Sequence, residues 1–269
     1  FSTKGRFVGD LINVVLLGII EGITEFLPIS STGHLLIAER WLGLRSDLFN
    51  IVIQAGAILA VCLIYRARLY ELATGWRDSE TRAYLGKLTL AFLITAVLGL
   101  IAVKAGFSLP TELGPVAWAL IIGGIWMIVA EQIAARRPHS AHVTWTVAIL
   151  VGIAQMVAGL FPGTSRSATT IFVALLAGTN DRSAATEFAF LVGIPTMFAA
   201  SGYELVSEVQ AGHAAHIDWP GVIVGFVVST LVAFVAVKWL LRYIQSHRFT
   251  AFAVYRIIFG AALLLWIGG

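Results

Sequence analysis

The sequence predicts an all-α integral membrane protein with an inverted-topology repeat. Each half should hold one re-entrant helical hairpin and three transmembrane helices, giving six full spans and about ten helical segments. Three observations predict this. Hydrophobic residues make up 58% of the 269 residues and charged ones 12%, with a mean hydropathy of +0.88, and a soluble core could not hide that much apolar surface. The chain also contains itself twice. Displaced by 134, Leu17-Gly18-Ile19-Ile20-Glu21 falls on Val151-Gly152-Ile153-Ala154-Gln155, and Phe26-Leu27-Pro28-Ile29-Ser30-Ser31 on Leu160-Phe161-Pro162-Gly163-Thr164-Ser165, without a gap. Displaced by 137, Gly56 meets Gly193 and Val116 to Gly123 meets Ala253 to Gly260. Finally, the best-matched stretch of each half is also its most polar.

One membrane domain over 1–269 is expected, with a first repeat at 11–131 and a second, inverted one at 143–269. The run from Leu11 to Leu44 opens the first repeat. Its initial apolar part, Leu11 to Ile20, has the length of a signal-peptide core, but Glu21 and Glu25 stand where cleavage requires small residues. Pro and a Ser/Thr/Gly cluster break the run in its middle, and in lipid such backbone is tolerated only beside protein or a water-filled cavity. Spans should follow at about Asn50 to Tyr65, Gly86 to Val103 and Pro115 to Ala130. The second half repeats the plan, with a broken run from Val143 to Ala177 and spans at Glu187 to Tyr203, Gly221 to Leu240 and Thr250 to Ile267. Three crossings is an odd number, so the second half must enter the bilayer upside down.

Orientation follows from Lys and Arg. The side holding both termini carries Lys4, Arg6, Arg40, Arg45 and Lys104. The other carries Arg66, Arg68, Arg77, Arg82, Lys87, Arg136, Arg137, Arg182, Lys238, Arg242 and Arg248. Both termini are therefore expected outside. The pI near 9.2 reflects this topology rather than a nucleic-acid partner. The single cysteine, Cys62, lies in an apolar run and supports neither a disulfide nor a thiolate metal site.

Ionisable groups at membrane depth are functional candidates by default. Glu21 and Glu25 lie one helical turn apart, a pairing suited to a hard divalent cation or to acid/base work. After them, Ser30, Ser31, Thr32, Gly33 and His34 occupy the first break, where His34 becomes a plausible proton carrier. In the second break, Arg166 stands among Thr164, Ser165, Ser167, Thr169 and Thr170, and a guanidinium with hydroxyls and free N–H groups at a helix start makes an anion cradle. Gln155 occupies the repeat position of Glu21, and Asn50 and Gln54 begin the first full span; all three are candidates to support a cavity. Arg256 should be structural, snorkelling to the nearby membrane face or pairing with Glu187. His139, His142, His213 and His216 read as loop residues, and the Trp residues as an interfacial belt.

Two function classes remain open on these residues: a membrane phosphatase acting on a lipid phosphate, and a secondary transporter or flippase for a phosphate-bearing lipid or solute. Topology alone favours transport; the combination of carboxylates, Ser, His and Arg favours an enzyme. The stretches Glu21 to His34 and Pro162 to Thr170 resemble the two signature motifs of the bacitracin-resistance undecaprenyl pyrophosphate phosphatases, and the likeness extends over essentially the whole chain. The resemblance implies a bacterial inner-membrane enzyme, opening toward the periplasm, that converts undecaprenyl pyrophosphate to undecaprenyl phosphate, recycles the lipid carrier of peptidoglycan synthesis and confers bacitracin resistance. Its partners would be the polyprenyl pyrophosphate substrate and membrane lipid, with a homodimer left open. It further implies that Glu21 and Glu25 hold Mg²⁺ or Ca²⁺ and that Arg166 grips the phosphate. Ser165, Ser167, Thr170, Gly163 and Ser30 would complete the cradle. Ser31 is then the expected nucleophile and His34 its base, with a phosphoserine intermediate, or else Ser31 orients a water that His34 activates.

Overall fold

The computed structural model describes residues 3–106, 112–212 and 217–268, the side chains of 3–9 and 268 excepted. His213 and His216, and the side chains of Lys4 and Arg6, lie outside the described residues. The described chain consists of helices and their connections: α1 (Thr3–Thr24), α2 (Ser31–Leu42), α3 (Asp47–Ile64), α4 (Arg66–Thr74), α5 (Ser79–Lys104), α6 (Leu113–Ala135), α7 (Trp145–Leu160), α8 (Arg166–Ala177), α9 (Arg182–Gln210), α10 (Trp219–Ser246) and α11 (Thr250–Gly268). Six of these, α3, α5, α6, α9, α10 and α11, are long and apolar enough to cross a membrane. They contain the six expected spans. The protein is a multi-pass, all-α membrane protein.

The helices outrun the apolar segments because polar caps and charged turns prolong them past the hydrocarbon. The Asp78 side chain caps α5, and Asp181 caps α9 by accepting from Ala184 N at 2.7 Å. The short helix α4 between α3 and α5 is largely polar and buries only Leu72.

The element order comes in two rounds: α1–α2 then α3, α5 and α6; α7–α8 then α9, α10 and α11. With 12 residues each, α2 and α8 are about 18 Å long, too short for a hydrocarbon core of about 30 Å. The two broken runs therefore form hairpins, as their central prolines foretell. The first arm is longer than expected, because α1 starts well before the apolar run that opens at Leu11.

Each hairpin is seated on a long helix from the other round, α1 on α10 and α7 on α5. Small residues make the close approach possible. A Cβ on Gly18 would stand 2.9 Å from the Gly225 carbonyl oxygen, one on Gly22 2.7 Å from that of Ser229, and one on Gly152 2.7 Å from that of Ala91. Hydroxyls join the same helices. Ser229 donates to the Ile53 carbonyl and Thr230 lies beside that of Gly56, both at 2.8 Å, while Thr95 lies 2.9 Å from that of Gly152. Both broken loops are thereby carried on a rigid frame, beside each other in the interior.

Arg256 contradicts its sequence reading. It neither snorkels nor pairs with Glu187, which instead bonds Arg68 at 3.2 Å. Arg256 is fully buried, with its guanidinium among backbone carbonyls of both broken loops. The apolar count around Arg256 suggested a position near the helix end, but α11 is packed against α6 along its length and encloses this face.

Candidate active site

Both broken loops end in a serine with left-handed backbone: Ser30 has φ 74 and ψ 94, Ser165 has φ 68 and ψ 113. Non-glycine residues adopt this conformation at a cost of about 1–3 kcal/mol, and such strain concentrates at functional sites. Each serine caps the helix that follows, Ser30 accepting from Gly33 N and Ser165 from Ala168 N. The caps lie 135 residues apart, one more than the gap-free match allowed, because the second half carries one extra residue between the position matched to Glu21 and its cap. Ser31 and Arg166, rather than Ser31 and Ser165, are the equivalent positions. Each is the first residue of its helix.

The two helix starts face one cavity of about 610 Å³. Its polar end is lined by Glu25, Ser30, Ser31, Thr32, Gly163, Ser165 and Arg166, with Gln54 and Gln155 alongside. Two helix N-termini with free N–H groups and positive dipole ends make this a place for an anion. The remaining wall is mostly apolar, built from Phe92, Ala96, Leu100 and Val103 of α5, Met156 of α7, and Met197, Ala199 and Ala200 of α9.

Glu25 is the hub of the polar end. One carboxylate oxygen accepts from Arg166 Nη2 at 2.9 Å and the other from Ser31 Oγ at 2.5 Å. Arg166 lies against α9, where a Cβ on Gly193 would stand 2.2 Å from Arg166 Nη1. Gly193→Ala should therefore displace the guanidinium and lower activity on the order of tenfold to a hundredfold, since small misplacements of reacting groups carry costs of that size. Activity measured beside thermal stability in detergent tests this; a stable, fully active variant would show that the slot is unimportant.

Several expected site residues take other places. His34 does not reach Ser31 as its base: Nδ1 lies 2.7 Å from the Ser30 carbonyl, Nε2 lies 2.7 Å from Tyr255 Oη, and the ring stacks on Phe259. The backbone carbonyl and α11 occupy both nitrogens, and His34 stands outside the cavity wall. Thr170 bonds carbonyls of its own helix, and Ser167 donates to the Leu27 carbonyl at 3.2 Å, so neither faces the cavity. Asn50 is also absent from the lining, one turn before Gln54 on α3. Gln155 is buried and donates to Thr95 Oγ1 at 3.0 Å. Thr95 is absent from the sequence-derived candidates, although a hydroxyl residue in the middle of an apolar span was its signal. Gly193 and Tyr255 stood out only as members of the repeat, with nothing to link them to Arg166 or His34.

Glu21 is fully buried one turn before Glu25, and neither of its carboxylate oxygens has a hydrogen-bond partner among the described residues. A buried carboxylate so placed lacks a positive counterpart. No cluster of three or more His, Cys, Asp or Glu exists among the described residues. The observation that bears on a cation is the unpartnered Glu21 carboxylate one turn from Glu25: two carboxylates are the protein ligands a hard cation of the Mg²⁺ kind takes when phosphate oxygens and water complete its shell.

The family comparison decides between the readings of this site. A family model described as bacitracin resistance protein BacA matches residues 14–262. The chain belongs to this family. Among its relatives, the undecaprenyl-diphosphatase of Rhizobium etli is 69% identical over 255 residues, covering 95% of this chain and 96% of that protein. The undecaprenyl-diphosphatase of Xanthomonas oryzae pv. oryzae is 64% identical over 260 residues, covering 97% and 98%. Within this BacA-family chain, both loops and every cavity-lining residue named above lie inside the matched region.

Proposed function

We propose that this BacA-family protein is an undecaprenyl-diphosphatase, hydrolysing undecaprenyl pyrophosphate to undecaprenyl phosphate and inorganic phosphate. The observation that carries this reading is the Ser31–Glu25–Arg166 constellation at two converging helix N-termini, in a protein whose relatives bear that name. In this reading Ser31 is the nucleophile and Arg166 the phosphate clamp, and the Glu25 carboxylate that both contact is the proton acceptor. Regenerating the lipid carrier for cell-wall synthesis, and with it bacitracin resistance, follows from the reaction and the family.

Arg166 exchanges Glu25 for the incoming terminal phosphate, which matches its planar fork. Glu25, released from its cation, is then free to take the Ser31 proton. Ser31 Oγ attacks the terminal phosphorus; the Ser O–P bond forms, the bridging P–O bond breaks, and undecaprenyl phosphate leaves. Glu25 passes that proton to the departing undecaprenyl phosphate; water then attacks the phosphoserine phosphorus, and Glu25 takes the water proton and hands it to Ser31 Oγ as the Ser O–P bond breaks and inorganic phosphate leaves. Arg166 and the α2 and α8 N-termini stabilise charge on the phosphoryl oxygens throughout. His34 orders the first loop through the Ser30 carbonyl and Tyr255. A divalent cation, Mg²⁺ or Ca²⁺, would be held by Glu21 and Glu25 and would neutralise pyrophosphate charge.

The apolar wall between α5 and α9 gives the prenyl chain its path into lipid. We place the protein in the bacterial inner membrane, its halves inverted, with both termini and the cavity mouth on the periplasmic side. The Lys and Arg asymmetry supports this orientation. The deciding experiment is phosphate release from undecaprenyl pyrophosphate by the detergent-solubilised protein, with and without EDTA. Release that EDTA abolishes and Mg²⁺ or Ca²⁺ restores is expected. A folded, metal-replete protein that releases none would favour the transporter reading.

A further inference from the structure

The two loops that make the site belong to different hairpins, and something must hold them in register. Among the described residues, three side-chain links run between the hairpins or span both. Arg166 bonds Glu25, Ser167 bonds the Leu27 carbonyl, and Arg256 reaches both loops from behind. The first link dissolves when Arg166 transfers to a phosphate. The second is one neutral bond at 3.2 Å. Arg256 is the link that persists with substrate bound.

Its geometry suits the task. Nη2 lies 2.9 Å from the Gly163 carbonyl in the second loop and 3.2 Å from that of Ala119 in α6, while Nη1 lies 3.5 Å from the Pro28 carbonyl in the first loop. Pro28 and Gly163 are 135 residues apart, the spacing of the two caps, so one guanidinium spans equivalent points of both loops. Ala119 is itself the position matched to Arg256 when the chain is displaced by 137. Arg256 therefore sits where the two halves meet. Gly163 has φ +94 and lines the cavity, whereas Arg256 does not, which puts the guanidinium one layer behind the wall.

Burying this charge is costly. Arg256 is 0% exposed, its Nε has no partner, and no carboxylate is within ion-pair distance of it among the described residues. A well-packed apolar side chain would serve a purely structural purpose at least as well. Room has nonetheless been made for it: a Cβ on Gly123 would stand 2.2 Å from Nη2. From these observations we infer that Arg256 is a positioning residue for phosphate hydrolysis, holding the Pro28 and Gly163 carbonyls so that Ser31 and Arg166 stay in register once Arg166 has left Glu25.

The inference rests on the proposed phosphatase reading, and wild-type protein in the same assay separates the two: inert wild type defeats that reading, not this one. Arg256→Met fills the same space without charge or donors. It should fold, with a melting temperature close to wild type, and lower kcat about a hundredfold with KM changed less than about threefold, as misplaced reacting groups do. Arg256→Lys, able to hold one loop carbonyl at a time, should recover part of the loss. If Arg256→Met is too unstable to assay, Gly123→Ala pushes on the guanidinium with one methyl group and should lower kcat about tenfold at unchanged KM. Wild-type kcat in a folded Arg256→Met, or in Gly123→Ala where that variant is the one assayed, overturns the inference, as does a loss confined to KM or to stability.

Discussion

Arg166→Ala will lower undecaprenyl pyrophosphate turnover by on the order of a hundredfold or more, the usual cost of losing a charge contact made in the transition state. The side chain is placed for that contact, since it begins α8, lines the cavity and rests against α9 in the slot left by Gly193. Its loss also leaves the Glu25 carboxylate at the cavity wall without its guanidinium partner, so an anionic substrate would meet an added negative charge there. The defect should therefore appear in both kcat and KM. Arg166→Lys should recover little, because an ammonium is a point charge and cannot engage two phosphate oxygens as a planar fork does. Steady-state kinetics on folded variants decide the matter. Near-normal kcat/KM in Arg166→Ala would remove Arg166 from the site.

Ser31→Ala should be more damaging still, on the order of a thousandfold or more, because removal of a nucleophile cannot be offset by the groups around it. Ser31 donates to Glu25 at 2.5 Å and begins α2 at a helix N-terminus, where the developing phosphoryl charge is favoured. Rapid quenching of wild-type protein with substrate labelled in the terminal phosphate should trap phosphoserine at residue 31, and the variant should trap none. Substantial turnover by folded Ser31→Ala, without a labelled enzyme, would mean that water attacks directly and that Ser31 serves only to orient it. Glu25 is the expected proton acceptor in either case. The proposed mechanism therefore gives the base role not to His34, the natural choice by sequence, but to a carboxylate six residues before the serine, which the Ser31 hydroxyl contacts.

That transfer shows where the sequence runs out. Ser31 and His34 are three residues apart on one helix, and nothing nearby in the chain announces that Tyr255, 221 positions away, engages the imidazole. Ser167 and Thr170 share a motif with Arg166, yet helical periodicity turns them inward to backbone carbonyls while Arg166 faces the cavity. Arg256 carries a charge in an apolar run and invites a reading by depth alone. Its real partners are carbonyls of three distant segments.

The legible part of the molecule was set by the bilayer and by the repeat. A membrane demands long apolar helices and forbids unsatisfied backbone in lipid, so the six spans and the two Pro-broken hairpins could be located from local composition. Glu25, Ser31 and Arg166 could be singled out because a polar group at that depth is costly wherever it points. Which of those groups meet was decided by tertiary packing. The glycine-lined crossings of α1 on α10 and α7 on α5 set the distance between the loops, and the one extra residue in the second half sets Ser31 opposite Arg166. Side-chain direction depends on neighbours supplied by the other half of the chain, and that information is absent from any short stretch of sequence.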